Sequence, residues 1–483
     1  MSRRVLFASG PSQDGCDRFF GWPTSLLYAI SPTMKAIDDG ELSLECVPQI
    51  FEPISYIDGR NDAAVKAEFR EQLDGVDIVC ASTTYDSLYP TLELFAEAKT
   101  MNPRVITILG GPHFDEVHNV RQGDEIGPGP ELVDFGIAGD GEYALKALLE
   151  AVSDERLDSL DASQIPGRAW IYGDGCRQAT SGQPLNLNTL PFMPITLADS
   201  ARHANDFDVF ADTQGILPTV QMIAKRGCAY SCEFCSEQRG LAYPNSRSID
   251  DLLEEVALRK DQGYKAVFFD DSTFGSYPRL RDLLCALGEM GVTYGCLNRF
   301  DHLTRPDLVE AYHNAGFKYV YCAIEQFSDG ALGRMKKGES TLQMQQAMRL
   351  LANSGFLVGV SLLYGLEYET EESIAATLDF VERWVQEGTI KLVSESVLSY
   401  HPGTPGGRGK AGRFDRVPPN RGFPFDRFEE GQWYHPAHVT PKYLEAILMS
   451  SEKRFADVMV RNRHSWYARN DRTFLASRDG VTV

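Results

Sequence analysis

The sequence contains no uninterrupted apolar run of the roughly 20 residues that a bilayer-spanning helix needs. Its opening, "MSRRVLFASG", carries an arginine pair, yet the apolar stretch stops at Gly10 and polar "PSQDG" follows, so it falls short of an export signal. It reads as a first β-strand, and the expected location is the cytoplasm. Positive charge is scarce as well: Lys and Arg number 47 against 68 Asp and Glu, a net charge of −21. Such a surface repels phosphate backbones. The densest basic stretch, "GRGKAGRFDR" (Gly407–Arg416), is short and glycine-rich, so nucleic acid is not an expected partner. Cysteine is sparse too, at 10 residues in 483, which excludes a disulfide scaffold and suits a reducing compartment.

What remains is an ordinary globular composition, 43% apolar and 24% charged, long enough for two or three domains. Residues 1–155 alternate short β-branched runs with helical patterns. "RVLFAS", "DIVCAST", "RVITILGG" and "VDFGIAG" read as buried parallel strands, and "DAAVKAEFREQL" and "EYALKALLEA" as amphipathic helices. The alternation predicts an α/β, doubly wound, Rossmann-like sheet, whose ligand lies beyond the carboxyl ends of the strands. Those ends carry Ser82, Thr83, Gly110, Gly111, His113, Gly139 and Gly141. Residues 156–215 read as a connector with a hairpin around Asp174 and Gly175. Over 216–400 the alternation resumes with six β/α units, from "TVQMIAK" to "LVSESVLSY", which predicts a partial (β/α)6 TIM-type barrel. Residues 401–483 are rich in Pro, Gly and aromatics before a helix near Pro441–Val460, and read as a small C-terminal substrate or capping region.

Seven of the ten cysteines are scattered. The other three, Cys228, Cys232 and Cys235, form a C-x3-C-x2-C array in "RGCAYSCEFCSEQ", directly after the first strand of the second alternating segment. Three thiolates suit zinc only with a fourth ligand. No Cys or His occurs between Cys235 and Cys285, and His203 is the nearest upstream candidate. A [4Fe–4S] cube held by three cysteines instead keeps one iron open to an exogenous ligand. The array therefore points to a cluster with redox chemistry at its free corner.

With Phe234 just before the last cysteine, this array resembles that of the radical S-adenosylmethionine (SAM) enzymes. "FFDDSTF" (Phe268–Phe274), "AGFKYVYCAIEQFSDGALGRMKKG" (Ala315–Gly338) and "GVSLLYGLEYETEES" (Gly359–Ser373) resemble later landmarks of that family in order, with Glu367 and Tyr368 standing where its turn has Pro-Gly. The first domain, with its "ST", "GGPH" and "GDGE" loops, resembles the cobalamin-binding domain of one large, methyltransferase-type subgroup. The likeness spans about residues 1–406. The D-x-H-x-x-G motif that ligates cobalt through histidine is absent, and Asp115 and His118 are spaced differently, so the resemblance implies a corrin without a protein histidine on cobalt.

The resemblance implies a [4Fe–4S] cluster on Cys228, Cys232 and Cys235. It also implies SAM cleavage to a 5′-deoxyadenosyl radical, and methyl transfer from methylcobalamin to an unactivated carbon of a small molecule or peptide, as in secondary metabolism. Tyr230 and Phe234 are expected near the cluster and adenine, Glu325 at the SAM ribose or amino group, Asp271 at the amino group and Arg299 at the carboxylate. A flavodoxin or ferredoxin would donate the electron. The remaining cysteines, among them Cys46, Cys80, Cys176, Cys285, Cys296 and Cys322, read as core residues or inert thiols. Rival readings are a radical rearrangement, cyclisation or oxidation without methyl transfer, a tRNA methylthiotransferase with a second cluster on Cys16, Cys46 and Cys80, and a non-enzymatic electron-transfer protein.

Overall fold

The computed structural model describes residues 2–10, 22–52, 62–83, 87–112, 114, 130–173, 176–203, 211–212, 215–235, 237, 245–366, 368–398, 404–408, 447, 451, 454–455 and 459–461. Contacts divide the chain into two compact units, the first centred on residues 22–201 and the second on 202–415.

The first unit contains strands β1 (Arg3–Ser9), β2 (Leu44–Cys46), β3 (Ile78–Ser82), β4 (Ile106–Gly110), β5 (Phe135–Gly139), β6 (Ala169–Gly173) and β7 (Cys176–Ala179). The order across the sheet is β2-β1-β3-β4-β5-β6-β7. The first five run parallel. Leu6, Val79 and Leu109 pack on Phe69, Leu92 and Phe95 of the helices Asp62–Gln72 and Leu88–Met101. Val5 and Ile78, next to them in their strands, are equally buried. Burial on both faces is why these strands read as continuous apolar runs. The sheet is doubly wound, as expected, and its order reverses direction between β1 and β3, the crevice where such sheets take ligands. The expected hairpin is β6 and β7, and it continues the sheet antiparallel from the β5 edge.

Glycine at the strand ends sits in two different surroundings. Gly139 has φ +100°, and a Cβ there would lie 2.0 Å from the Arg168 carbonyl oxygen. Gly111 has φ +104°, and a Cβ would lie 2.4 Å from the Thr83 amide nitrogen. Backbone packing requires both glycines. At Gly110 and Gly141 an added Cβ would meet nothing among the described residues closer than 3.5 Å and 3.6 Å. His113, Asp115 and His118 lie outside the described residues.

In the second unit, β8 (Ala211–Asp212) and β9 (Gly215–Ile216) form a two-stranded ribbon, and β10 (Thr219–Met222) opens the main sheet. A second ribbon pairs β11 (Lys225–Arg226) with β12 (Asn245–Ser246). The main sheet continues through β13 (Ala266–Phe269), β14 (Thr293–Asn298), β15 (Phe317–Glu325), β16 (Leu357–Tyr364), β17 (Ile390–Val397) and β18 (Met459–Arg461), in the order β10-β13-β14-β15-β16-β17-β18. All its pairs are parallel. The six expected β/α strands thus lie side by side in chain order. A seventh, β18, comes from the tail, where a helix was expected through Val460. Three residues are too few to show a strand pattern, and only their ladder with Leu392–Ser394 defines them.

Helices return the chain between strands with the capping chemistry their sequences suggest. Ser248 accepts a hydrogen bond from the Asp251 amide at 3.2 Å, and Ser340 and Thr370 open full capping boxes. No helix among the described residues is long and apolar enough to cross a membrane.

Gly139→Ala should lower the stability of the first unit by about 2 kcal/mol or more, through left-handed strain and the clash with the Arg168 carbonyl. Urea unfolding followed by circular dichroism measures it, and a wild-type midpoint would refute the packing argument.

Candidate metal and cofactor site

The three cysteines lie at the carboxyl end of the first strand of the second unit's sheet. Asp271, at the end of the adjacent β13, fixes the start of their loop. Its Oδ1 accepts hydrogen bonds from the amides of Ala224 at 2.9 Å and Lys225 at 2.6 Å. Its Oδ2 is buried without a hydrogen-bond partner among the described residues. Burial, opposed by Lys225, raises its pKa to about 7.

Tyr230, midway between Cys228 and Cys232, is held from two sides. The Arg299 guanidinium lies 3.7 Å over its ring, and its hydroxyl is 2.6 Å from His302 Nε2. Burial lowers the His302 pKa against the pull of Asp301, so the imidazole is neutral near pH 7. At the other end of the loop, the Glu233 amide donates to the Met335 carbonyl at 2.9 Å, and the Gly406 amide donates to the Glu233 carbonyl at 2.9 Å.

That contact brings the loop against a buried charge network. Lys337 Nζ is 3.8 Å from Glu325 and 3.4 Å from Glu339, all three side chains at most 10% exposed. Arg299 binds Asp301 at 3.0 Å and donates to the Lys337 carbonyl at 2.6 Å. Buried charges survive only when paired, so the network fixes its members relative to one another. Burial raises the Glu325 pKa while Lys337 opposes it. Glu325 itself sits at φ +59°, at a register shift where β15 pairs with β16. A non-glycine residue in the left-handed region at a bulge is strained, and such strain concentrates at functional sites.

Phe234, Met335, Leu366 and Leu398 line a cavity of about 290 Å³, with Arg334 and Tyr368 also on its wall. The Arg334 guanidinium lies 5.1 Å over the Tyr368 ring. Glu369 shapes this wall by accepting from the Gly365 amide at 3.0 Å and the Leu366 amide at 3.4 Å, and Gln326, next to Glu325, donates to it as well. Glu367 lies outside the described residues.

Among the described residues no three His, Cys, Asp or Glu side chains converge on a point that could hold a single metal ion. A cubane gives each thiolate its own corner, so its ligands need not meet at one point. Burial raises the Cys235 thiol to about 12. It also raises Cys232, where Lys337 and Arg299 oppose it. Ligation therefore requires iron to displace these protons. The donor set and its spacing fit a cluster.

The sequence matches the Radical SAM superfamily over residues 222–381. The chain contains a radical SAM domain. Among curated proteins it is similar to the anaerobic magnesium-protoporphyrin IX monomethyl ester cyclase of Rubrivivax gelatinosus, 22% identical over 79% of this chain and 66% of the cyclase. It is also similar to the hopanoid C-3 methylase of Methylococcus capsulatus, 24% identical over 70% of this chain and 62% of the methylase. The chain thus spans about two thirds of each relative's length. In fold it resembles the radical SAM methyltransferase TsrM of Kitasatospora setae, solved with cobalamin and a [4Fe–4S] cluster bound. The two are 16% identical, with a TM-score of 0.60 over 84% of this chain and 77% of TsrM. A second TsrM structure, with tryptophan and a SAM analogue bound, matches over 99% of both chains at 14% identity and a TM-score of 0.64. The expected family is therefore the one these comparisons return.

Within the radical SAM domain, the structure brings Cys228, Tyr230, Cys232, Arg299 and Glu325 into one connected neighbourhood. Phe234 lines the adjoining cavity, while Asp271 and Arg299 turn out to be engaged by the protein itself. Lys337 and Glu369 lie inside the segments already matched to the family without being singled out there, and His302 and Glu339 carried no sequence signal beyond ordinary polarity. Only tertiary packing shows Lys337 and Glu339 buried and His302 and Glu369 engaged beside the loop and cavity. Cys80, Cys296 and Cys322 are buried, and Cys285 is exposed. Cys46 and Cys80 lie in β2 and β3, which flank β1, and Cys16 lies outside the described residues.

The pKa of Asp271 is raised from 3.8, so the folded state binds its proton more tightly than the unfolded chain does. Its share of stability is then full at low pH and is lost as pH rises from about 4 through about 7. Asp271→Asn keeps the oxygen that accepts from residues 224 and 225. It should flatten that part of the stability profile in urea titrations, and a profile still sloping as in wild type would refute the assignment.

Proposed function

We propose that the chain is a cobalamin-dependent radical SAM methyltransferase that methylates an unactivated carbon of a small molecule or peptide. The observation that carries this reading is the cysteine loop pinned beside a strained, buried Glu325, in a domain that belongs to the radical SAM superfamily.

Cys228, Cys232 and Cys235 would hold the [4Fe–4S] cluster. When bound, the cluster and the corrin supply one-electron chemistry and methyl transfer that no side chain can perform. The protein's own share is positioning and exclusion of water. Glu325 offers a carboxylate to the ribose or ammonium of SAM, and Lys337 keeps that carboxylate tolerable in a buried position. The apolar cavity wall of Phe234, Leu366 and Leu398 suits a flat heterocycle such as adenine, and Glu369 holds the backbone of that wall in place.

In the first unit, Ser82, Thr83, Gly110 and Gly141 are the residues to face cobalamin. Among the described residues nothing in the packing requires glycine at the last two, which supports a ligand surface kept low there. The acidic balance of −21 favours an uncharged or cationic substrate over nucleic acid. A flavodoxin or ferredoxin would supply the electron.

Anaerobically reconstituted protein given iron, sulfide, cobalamin and SAM with a deuterated methyl group should transfer label to a product in candidate extracts, read by mass spectrometry. An unlabelled, isomerised or cyclised product would replace methyl transfer with rearrangement or cyclisation, an activity suggested by the name of the Rubrivivax relative. Glu325→Gln should weaken SAM binding about tenfold, roughly 1.4 kcal/mol, with cluster content unchanged. Wild-type affinity in equilibrium binding would remove Glu325 from the site.

A further inference from the structure

Three cations from three separate elements are buried around the cysteine loop. Lys225 is 1% exposed, Lys337 4% and Arg299 7%. Lys225 is committed locally, donating to the Gly227 carbonyl at 2.8 Å. Arg299 spreads its charge over a planar group that Asp301 offsets at 3.0 Å. Lys337 differs from both: a compact point charge facing carboxylates at 3.4 Å and 3.8 Å, looser than direct hydrogen-bonding distance. Both carboxylates raise its pKa against the cost of burial, so the side chain stays charged.

The segment carrying Lys337 cannot drift away from the loop. Glu233, next to Cys232, is hydrogen-bonded to Met335, and Arg299 both stacks on Tyr230 of the loop and binds the Lys337 carbonyl. The ammonium is therefore a fixed charge in a medium of low polarity, where Coulomb interactions are strongest.

We propose that Lys337 sets the reduction potential of the cluster, its buried positive charge stabilising the reduced form. The proposal rests on the cluster reading above. The step concerned is a one-electron reduction by a low-potential donor of the flavodoxin or ferredoxin class. The donor is oxidised by one electron, the cluster with its three thiolates becomes more negative by one charge, and no bond or proton moves. A cation nearby favours the more negative product, so cluster potentials follow local net charge. Glu339, the nearer of the two anions, acts in the opposite sense by offsetting Lys337.

The test is a dithionite titration of the reconstituted holoenzyme without SAM, using viologen mediators and reading the reduced cluster by electron paramagnetic resonance. Iron and sulfide analysis comes first, and a wild-type protein without a cluster overturns the cluster reading and this proposal together. With equal cluster content, Lys337→Gln should show a tenfold lower ratio of reduced to oxidised cluster at fixed potential, a shift of about 59 mV to more negative values. Lys337→Arg should restore most of the loss, and Glu339→Gln should shift the ratio the other way. An unchanged ratio in Lys337→Gln, or shifts of the same sign in Lys337→Gln and Glu339→Gln, would overturn the potential-setting role while leaving the cluster reading intact. If Lys337→Gln does not fold or load, the sign of the Glu339→Gln shift decides alone.

Discussion

An ammonium and its carboxylates taken out of water together have little freedom to part. Lys337, Glu325 and Glu339 meet that condition at the carboxyl end of the second sheet, and Arg299 with Asp301 extends it. Leaving any one member unpaired in a buried position would cost several kcal/mol, far more than an exposed ion pair contributes. The network therefore acts less as glue than as a gauge. It fixes where Glu325 stands, where the Met335–Glu339 turn lies, and through Tyr230 where the cysteine loop can be. The strained backbone of Glu325 is tolerable because its surroundings leave no alternative.

The same logic of strand ends operates in the first unit with different chemistry. There the sheet reverses its winding between β1 and β3, and small residues gather at the ends of β3, β4 and β5. Gly111 and Gly139 are explained by backbone crowding, whereas Gly110 and Gly141 are not. Similar-looking glycines thus differ in what crowds them, and only coordinates separate them.

Much of the architecture was legible in the sequence, because buried parallel strands are written as short apolar runs and their return helices as amphipathic ones. Glu325 stood out for the same reason: an otherwise apolar strand ended in a carboxylate. Lys337, inside the matched Ala315–Gly338 segment, and Glu339 just beyond it did not stand out, since no local pattern marks a lysine or a glutamate as buried. Asp271 does more than the sequence shows: one of its oxygens caps two backbone amides, a use that no local pattern reveals, while the other has no hydrogen-bond partner among the described residues. β18 escaped notice because its partner β17 lies some 60 residues earlier in the chain, and pairing across such a gap leaves no periodic trace.

That last strand has a consequence for how the molecule comes into being. Until residues 459–461 have been synthesised, β17 has an unpaired margin along Leu392–Ser394, a row of amides and carbonyls open to any extended peptide. Arg454, paired with Asp379 and with Glu382 at 3.0 Å, draws the tail toward that margin from the neighbouring helix. A nascent or shortened chain would carry most of its core with one sticky side, and would depend on chaperones or on speed to avoid joining its neighbours.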